Sequence, residues 1–388
     1  MTGAMYAAIA GLRAHMQELS VIGNNVANVN TNGYKAHRTT FKEAIYSTVT
    51  GGSNGTDSIG GVNPSQIGFG CSVGTIDLMM STANYAPTGN NLDCMIDGDG
   101  FFMVGDKPNA TTAEGGTTFD ETAPTQLNLS RMGDFKFDSQ GYLTDGQGSV
   151  VYGWVTVADP ADDAADADAG VRGRAAGVVD KSTKNPSYST QLVPIRLPLA
   201  AKEPTVGPNE EGYIAAGTAI YPGVNETSGF NVYDTGTGDA ALSTGKPVEL
   251  DTMSIDPNTG MISGVNSVTK EQVIVGYLAI GRVTNPSGVT HVGGHYYRAM
   301  EGAGECRAAS IKDAVTGYVN NEDADADGAE GIHGAGETTL MAGGLETSGT
   351  DLATEISEMI TTQRGYQANT RIITVTDSML EELVNMKR

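Results

Sequence analysis

The chain has 388 residues, of which 46 are acidic and 23 basic, and its formal charge is −23; such a surface repels nucleic acid and anionic membranes, so neither is an expected partner. Its 52 glycines are about 13% of the chain against about 7% in ordinary proteins. They follow no Gly-x-y period, no run of 18 apolar residues offers a transmembrane helix, and Cys71, Cys94 and Cys306 lack the number and spacing of a disulfide framework.

The acid is unevenly placed. Residues 1–50 hold four bases and two acids, and residues 350–388 hold six acids and four bases, so the excess lies in residues 51–349. The middle therefore reads as a solvent-facing body, and the two ends as something else.

In chain order, residues 1–30 come first. Met5, Ile9, Leu12, Met16 and Leu19 recur at alternating steps of four and three, with Val26 in register after Gly23. That is a heptad seam on a helix. Asn30-Thr31-Asn32-Gly33 predicts the stop, because Asn and Gly tolerate positive φ. Arg13, His15, Gln17 and Glu18 interrupt the apolar run that a secretory signal peptide needs, so a secreted destination implies another export route. Residues 31–90 read as a connecting segment.

The middle reads as β. Phe101-Phe102-Met103-Val104 comes after the turn Asp97-Gly98-Asp99-Gly100. Asp134 to Phe137 alternates, turns at Asp138-Ser139-Gln140-Gly141, and resumes at Tyr142-Leu143. Met253-Ser254-Ile255 turns through Asp256 to Gly260 into Met261-Ile262, and Val273 to Ile280 reads as a buried strand. Short runs bounded by Gly, Asn, Asp and Pro are the pattern of all-β domains. The expected division is a β core of residues 91–154 plus 251–351, with residues 155–250 inserted as an outward-facing β domain.

Chemistry-bearing motifs are weak. Gly51-Gly52-Ser53-Asn54-Gly55 fits the hydrolase G-x-S-x-G pattern, but the stretch from Thr56 to Pro64 cannot start the helix that the elbow requires. Asp323-Ala324-Asp325-Ala326-Asp327-Gly328 matches the first half of a calcium loop, yet Gly334 stands where the bidentate Glu belongs. His291 and His295 suit zinc only on a helix, and Val292-Gly293-Gly294 argues for a loop. No catalytic residue, metal ligand or cofactor site is assigned.

Residues 352–388 close the chain as a second helix. Leu352, Ile356, Met359, Tyr366, Ile373, Leu380 and Val384 fall on heptad steps interrupted by Gln363, Thr370 and Asp377, with Ser348 or Thr350 as the expected cap. The fold class is thus a multi-domain, mainly β body with long terminal helices that pair as a coiled coil. Each stripe is wider than one seam, which points to self-association.

The ends carry a specific resemblance. Asn24, Asn25 and Asn28, then Asn30, Thr31, Gly33, Tyr34 and Lys35, resemble the N-terminal signature of bacterial flagellar rod and hook proteins. Gln363, Arg364, Tyr366 and Asn369, with Gly344-Leu345-Glu346 before them, resemble the C-terminal one. Gly89 to Phe102 and Arg131-Met132-Gly133-Asp134-Phe135 resemble the family's core, with Cys94-Met95 as one departure. Length and the insertion are closest in kind to the hook members. The resemblance implies export unfolded through the flagellar type III apparatus without a cleaved signal. It implies an extracellular helical homopolymer with an inner coiled-coil tube and β domains outside. Its implied partners are further copies of itself, the hook cap, the distal rod and the hook-filament junction proteins. The alternatives are a straight distal rod subunit of the same family and, from another class, a secreted acidic calcium-binding adhesin.

Overall fold

The computed structural model describes residues 2–54, 60–107, 111–113, 116–118, 127–157, 187–189, 192–202, 215–224, 231–232, 243–311 and 338–386. The chain divides into two compact units, residues 1–80 with 348–388, and residues 81–347.

The first unit contains both long helices. Helix α1 (Thr2–Ala27) is built from Ala, Leu, Met, Gln and Glu without proline, which are strong helix formers. It ends where the Asn28 amide meets the Asn24 and Asn25 carbonyls, both at 3.2 Å, and the turn closes at Gly33 with φ of 70°. Helix α2 (Leu352–Met386) is capped by Asp351, not by Ser348 or Thr350. Its Oδ1 accepts from the Ala353 amide at 3.0 Å and its Oδ2 from the Thr354 hydroxyl at 2.8 Å. A carboxylate satisfies the free first-turn amides and complements the helix dipole, an advantage that a hydroxyl lacks.

The same unit carries a long two-stranded ribbon. Strand β1 (His37–Glu43) pairs antiparallel with β4 (Cys71–Leu78), and beyond them β2 (Tyr46–Thr50) pairs with β3 (Ser65–Gly68). At Gly70, φ is +101° and an added Cβ would meet the Ala7 carbonyl at 2.9 Å, so only glycine lets the ribbon approach α1 here. Ser53 bridges Val62 on this ribbon, so the G-x-S-x-G residues that are described form no strand-to-helix elbow.

The second unit is mainly β, with a single-turn 3-10 helix at Pro286–Gly288 among its described residues. It opens with β5 (Tyr85–Pro87), β6 (Cys94–Asp97) and β7 (Phe101–Gly105). β5 pairs with Gly344–Glu346 and β6 with Thr339–Ala342, so the two ends of the unit lie side by side. The main antiparallel order runs Leu250–Ile255, Met261–Asn266, Gln272–Leu278, Val150–Val157, β7, Asn128–Ser130, Tyr296–Arg298, Thr290–Gly293. Phe102, Phe135, Val151, Ile195, Ile262, Val275 and Ile280 form its core, with the Phe102 and Phe135 rings edge-to-face at 5.0 Å. Within residues 155–250, Leu199–Ala201 pairs with Ala219–Ile220 and Ser243–Pro247.

Two motifs distant in sequence meet in this core. Arg131, 0% exposed, donates to the carbonyls of Ile96 at 3.2 Å and Gly98 at 2.7 Å, with Glu346 at 3.8 Å. A side chain at Gly133 would collide with the Cys94 carbonyl. The Ala/Asp run at 159–168 and the acidic loop at 323–333 lie outside the described residues. Among the described residues no group of three or more His, Cys, Asp or Glu could hold a metal.

Candidate assembly interface

Helices α1 and α2 pack antiparallel. Three contacts set the alignment: Asn25 with Glu355, His15 with Gly365, and Gly11 with Asn369. Each step forward along α1 is matched by an equal step back along α2.

The buried positions of α1 are Ala8, Gly11, Ala14, Ile22 and Asn25. Positions 8, 11, 15, 18, 22 and 25 make a heptad stripe one residue earlier than the expected apolar seam, about 100° around the helix. Small side chains and a glycine let the backbones come close. On α2 the covered stripe is Glu355, Met359, Thr362, Tyr366, Asn369, Ile373 and Thr376. It shares Met359, Tyr366 and Ile373 with the expected stripe and is otherwise polar.

The expected apolar residues mostly face away from this seam. Met5, Ile9, Leu12, Leu19 and Val26 are half-buried, and Met16 is 54% exposed. Leu352, Ile356 and Leu380 are exposed, and Val384 is 68% exposed. Ile360, Ile372, Val375, Met379, Leu383 and Met386 add to the uncovered α2 surface. The ribbon adds more, with Ile45 at 80% and Val49, Val62 and Ile67 also exposed. Exposed apolar surface of this extent is of the kind that contacts with other protein surfaces cover.

The polar signature residues cluster where α1 meets the ribbon. Asn25 is buried. Its Nδ2 donates to the His37 carbonyl at 2.8 Å and to Glu355 Oε1 at 2.9 Å, and its Oδ1 accepts from the His37 amide and the Tyr34 hydroxyl, each at 3.0 Å. Asn24 Nδ2 donates to the Tyr34 hydroxyl at 3.0 Å, Asn28 Nδ2 to the Asn24 carbonyl, and the Thr31 hydroxyl to Asn28 Oδ1. Lys35 is fully buried, Asn30, Gln363 and Arg364 are exposed, and Asn369 lies over Gly11. Burial raises the Glu355 carboxyl above its ordinary range, against the Asn25 hydrogen bond, with Glu358 and Asp351 adding to the rise.

Ala8, Gly11, Glu355, Thr362 and Thr376 are buried positions of the two helices that apolar periodicity does not flag. Their signal is a second heptad of small and polar residues beside the apolar one.

The sequence comparisons agree at both ends. The family described as "Flagella basal body rod protein" matches residues 5–35, and "Flagellar basal body rod FlgEFG protein C-terminal" matches residues 341–386. The flagellar basal-body rod protein FlgG of Bacillus subtilis is 30% identical over the whole of both chains. The flagellar hook protein FlgE of Borreliella burgdorferi is 26% identical, again over the whole of both. FlgE of Caulobacter vibrioides is 34% identical over 160 residues, covering 41% of this chain and 23% of the relative.

Proposed function

The chain belongs to the family of flagellar rod and hook proteins, and on that premise we propose that it is the subunit of the flagellar hook, a curved tube that carries motor torque to the filament. The observation that carries the reading is the helix pair, which buries small and polar faces internally and turns Met16, Ile356, Val375 and Leu383 outward. Further copies of the chain cover those faces and continue the pair as a coiled-coil inner tube. A contact between different faces of successive copies does not close, so it generates a helical filament. The acidic excess of residues 51–349 suits a water-facing part of such a subunit.

The hook reading rests on the inserted residues 155–250. A distal rod subunit is the second reading, favoured by the full-length similarity to a rod protein at 30% identity. As a hook subunit the chain is exported without a cleaved signal, and the hook cap, the distal rod and the hook-filament junction proteins are its neighbours. Electron microscopy of the polymer formed by the purified chain tests the proposal. Curved tubes support the hook, straight tubes the rod, and no tube at any concentration refutes both.

A further inference from the structure

We infer that Asn25 sets the register of the antiparallel helix pair, by gripping the β1 backbone at His37 and the Glu355 carboxylate of α2 at once. The inference rests on the assembly role proposed above, although register itself is a property of the single chain.

The Asn25 amide has two donor hydrogens and two acceptor lone pairs, and all four are used. Toward β1 it behaves like a strand residue, since it takes the His37 amide on Oδ1 and gives a hydrogen to the His37 carbonyl. That fixes α1 to the ribbon. The remaining donor reaches Glu355, in the first turn of α2 beyond the Asp351 cap. One side chain thereby ties three elements of this unit to a common origin.

A slide of α2 by one heptad breaks this arrangement. It replaces Glu355 opposite Asn25 with Thr362, whose shorter hydroxyl already donates to the Glu358 carbonyl at 2.8 Å. The same slide puts Ile372 where Gly365 now leaves room for His15. It also puts Thr376 against Gly11, where Asn369 now lies. The glycines make other registers crowded, and the amide makes one of them hydrogen-bonded. A single buried Asn is known to select register in coiled coils, because a slipped register leaves its polar atoms unsatisfied. Register matters doubly here, since the outward apolar faces of both helices must align with the next copy.

The test is disulfide mapping on the full chain, held dilute enough to stay monomeric. His15→Cys with Gly365→Cys reports the native register, since these positions touch across the pair, and His15→Cys with Ile372→Cys reports a slip of one heptad. The first pair should dominate in the native background. Asn25→Leu and Glu355→Leu should each lower that preference about tenfold, the effect of one hydrogen bond to a charged acceptor. Glu355→Gln, whose amide oxygen still accepts, should restore it. Glu355→Leu leaves every Asn25 bond to β1 in place, so it decides the matter even if Asn25→Leu unfolds the ribbon. An unchanged preference in Glu355→Leu overturns the inference. Loss of tubes with native register intact would instead count against the assembly reading.

Discussion

Gly11 of α1 lies so close to Asn369 of α2 that a Cβ on the glycine would stand 2.8 Å from the Asn369 amide nitrogen. The reciprocal contact is His15 Nε2, 2.9 Å from a Cβ placed on Gly365. In both cases the obstructing atom is the far end of a movable side chain. Gly11→Ala should therefore be nearly neutral, because a helix-propensity gain of about 1 kcal/mol offsets the displacement of Asn369. Gly11→Leu cannot be absorbed by moving one amide and should cost about 1–3 kcal/mol by pushing the helices apart. Urea unfolding of both variants, monitored by helical circular dichroism, checks the sign and the order.

Outward and inward positions of the helix pair should separate assembly from folding. Met16→Asp and Ile356→Asp alter side chains that are about half exposed in the single chain. Each should change monomer stability by no more than about 0.5 kcal/mol and abolish tube formation, since closing a seam over an unpaired charge costs several kcal/mol. Ala14→Asp places the charge at a buried position of α1 and should destabilise the monomer itself. Sedimentation of assembled material, set beside monomer melting, distinguishes the two classes. Tubes of normal yield from Met16→Asp would reject the outward assignment.

In the second unit, Arg131 and Glu346 are both fully buried in their side chains. Burial lowers the guanidinium pKa while Glu346, Asp99, Tyr297 and Asp97 oppose the shift. Removing one partner strands a buried charge, so Arg131→Ala and Glu346→Ala should each cost about 3–5 kcal/mol. The double change Arg131→Ala with Glu346→Ala should cost clearly less than the two single losses together. A double-mutant cycle in urea measures this coupling, and simple additivity would contradict it.

The Asp145 carboxyl supplies a pH signature. Burial alone would raise it, but the His295 ring 3.6 Å away and hydrogen bonds from Tyr296 and the Ser149 and Gln147 amides outweigh burial and hold it below the ordinary carboxylate range. A depressed folded-state value means that this stability is present above the unfolded-state value of about 4 and is lost as pH falls through the folded one. The Tyr296 hydroxyl donates to Asp145 Oδ2 at 2.5 Å. Tyr296→Phe should therefore cost about 1.5–3 kcal/mol at pH 7 and move the acid-unfolding midpoint upward. Acid titration monitored by tyrosine fluorescence reads that shift.

Much of the architecture is legible in the sequence. The Asn30–Gly33 stop and both helices come from period and turn chemistry. The Asp138–Gly141 turn does pair Lys136–Phe137 with Leu143–Thr144. The face on which the helices meet is not legible from apolar periodicity, because that reading ranks side chains by hydrophobicity. Ala8, Gly11 and Ala14 matter for how near they let a backbone come. The Asp351 cap competes with nearby hydroxyls, and its advantage lies in charge. The Arg131 contact with Ile96 and Gly98 depends on long-range pairing that no local pattern encodes. The strands β1 and β4 mix charged, Thr and apolar residues without a clean alternation, so the ribbon shows itself only once its strands find each other.

The division of the chain also predicts where it can be cut. Residues 81–347 begin and end on adjacent strands, with β5 paired to Gly344–Glu346 and the Thr347 amide bonded to the Asn84 carbonyl at 2.9 Å. Their core is drawn from within the unit. A fragment of these residues should therefore fold as a soluble monomer with a cooperative urea transition and form no tubes. A fragment of residues 31–351 keeps the β1–β4 ribbon but loses both helices, including Ala7 and Ala10, against which Gly70 packs. It also keeps Ile45, Val49, Val62 and Ile67 exposed on and beside β2 and β3, a two-stranded sheet whose open edges invite edge-to-edge association. It should express as the more aggregation-prone of the two. Size-exclusion chromatography with proton NMR compares them directly. An unfolded 81–347 fragment would show that the second unit needs the helices, and tubes from either fragment would show that assembly does not.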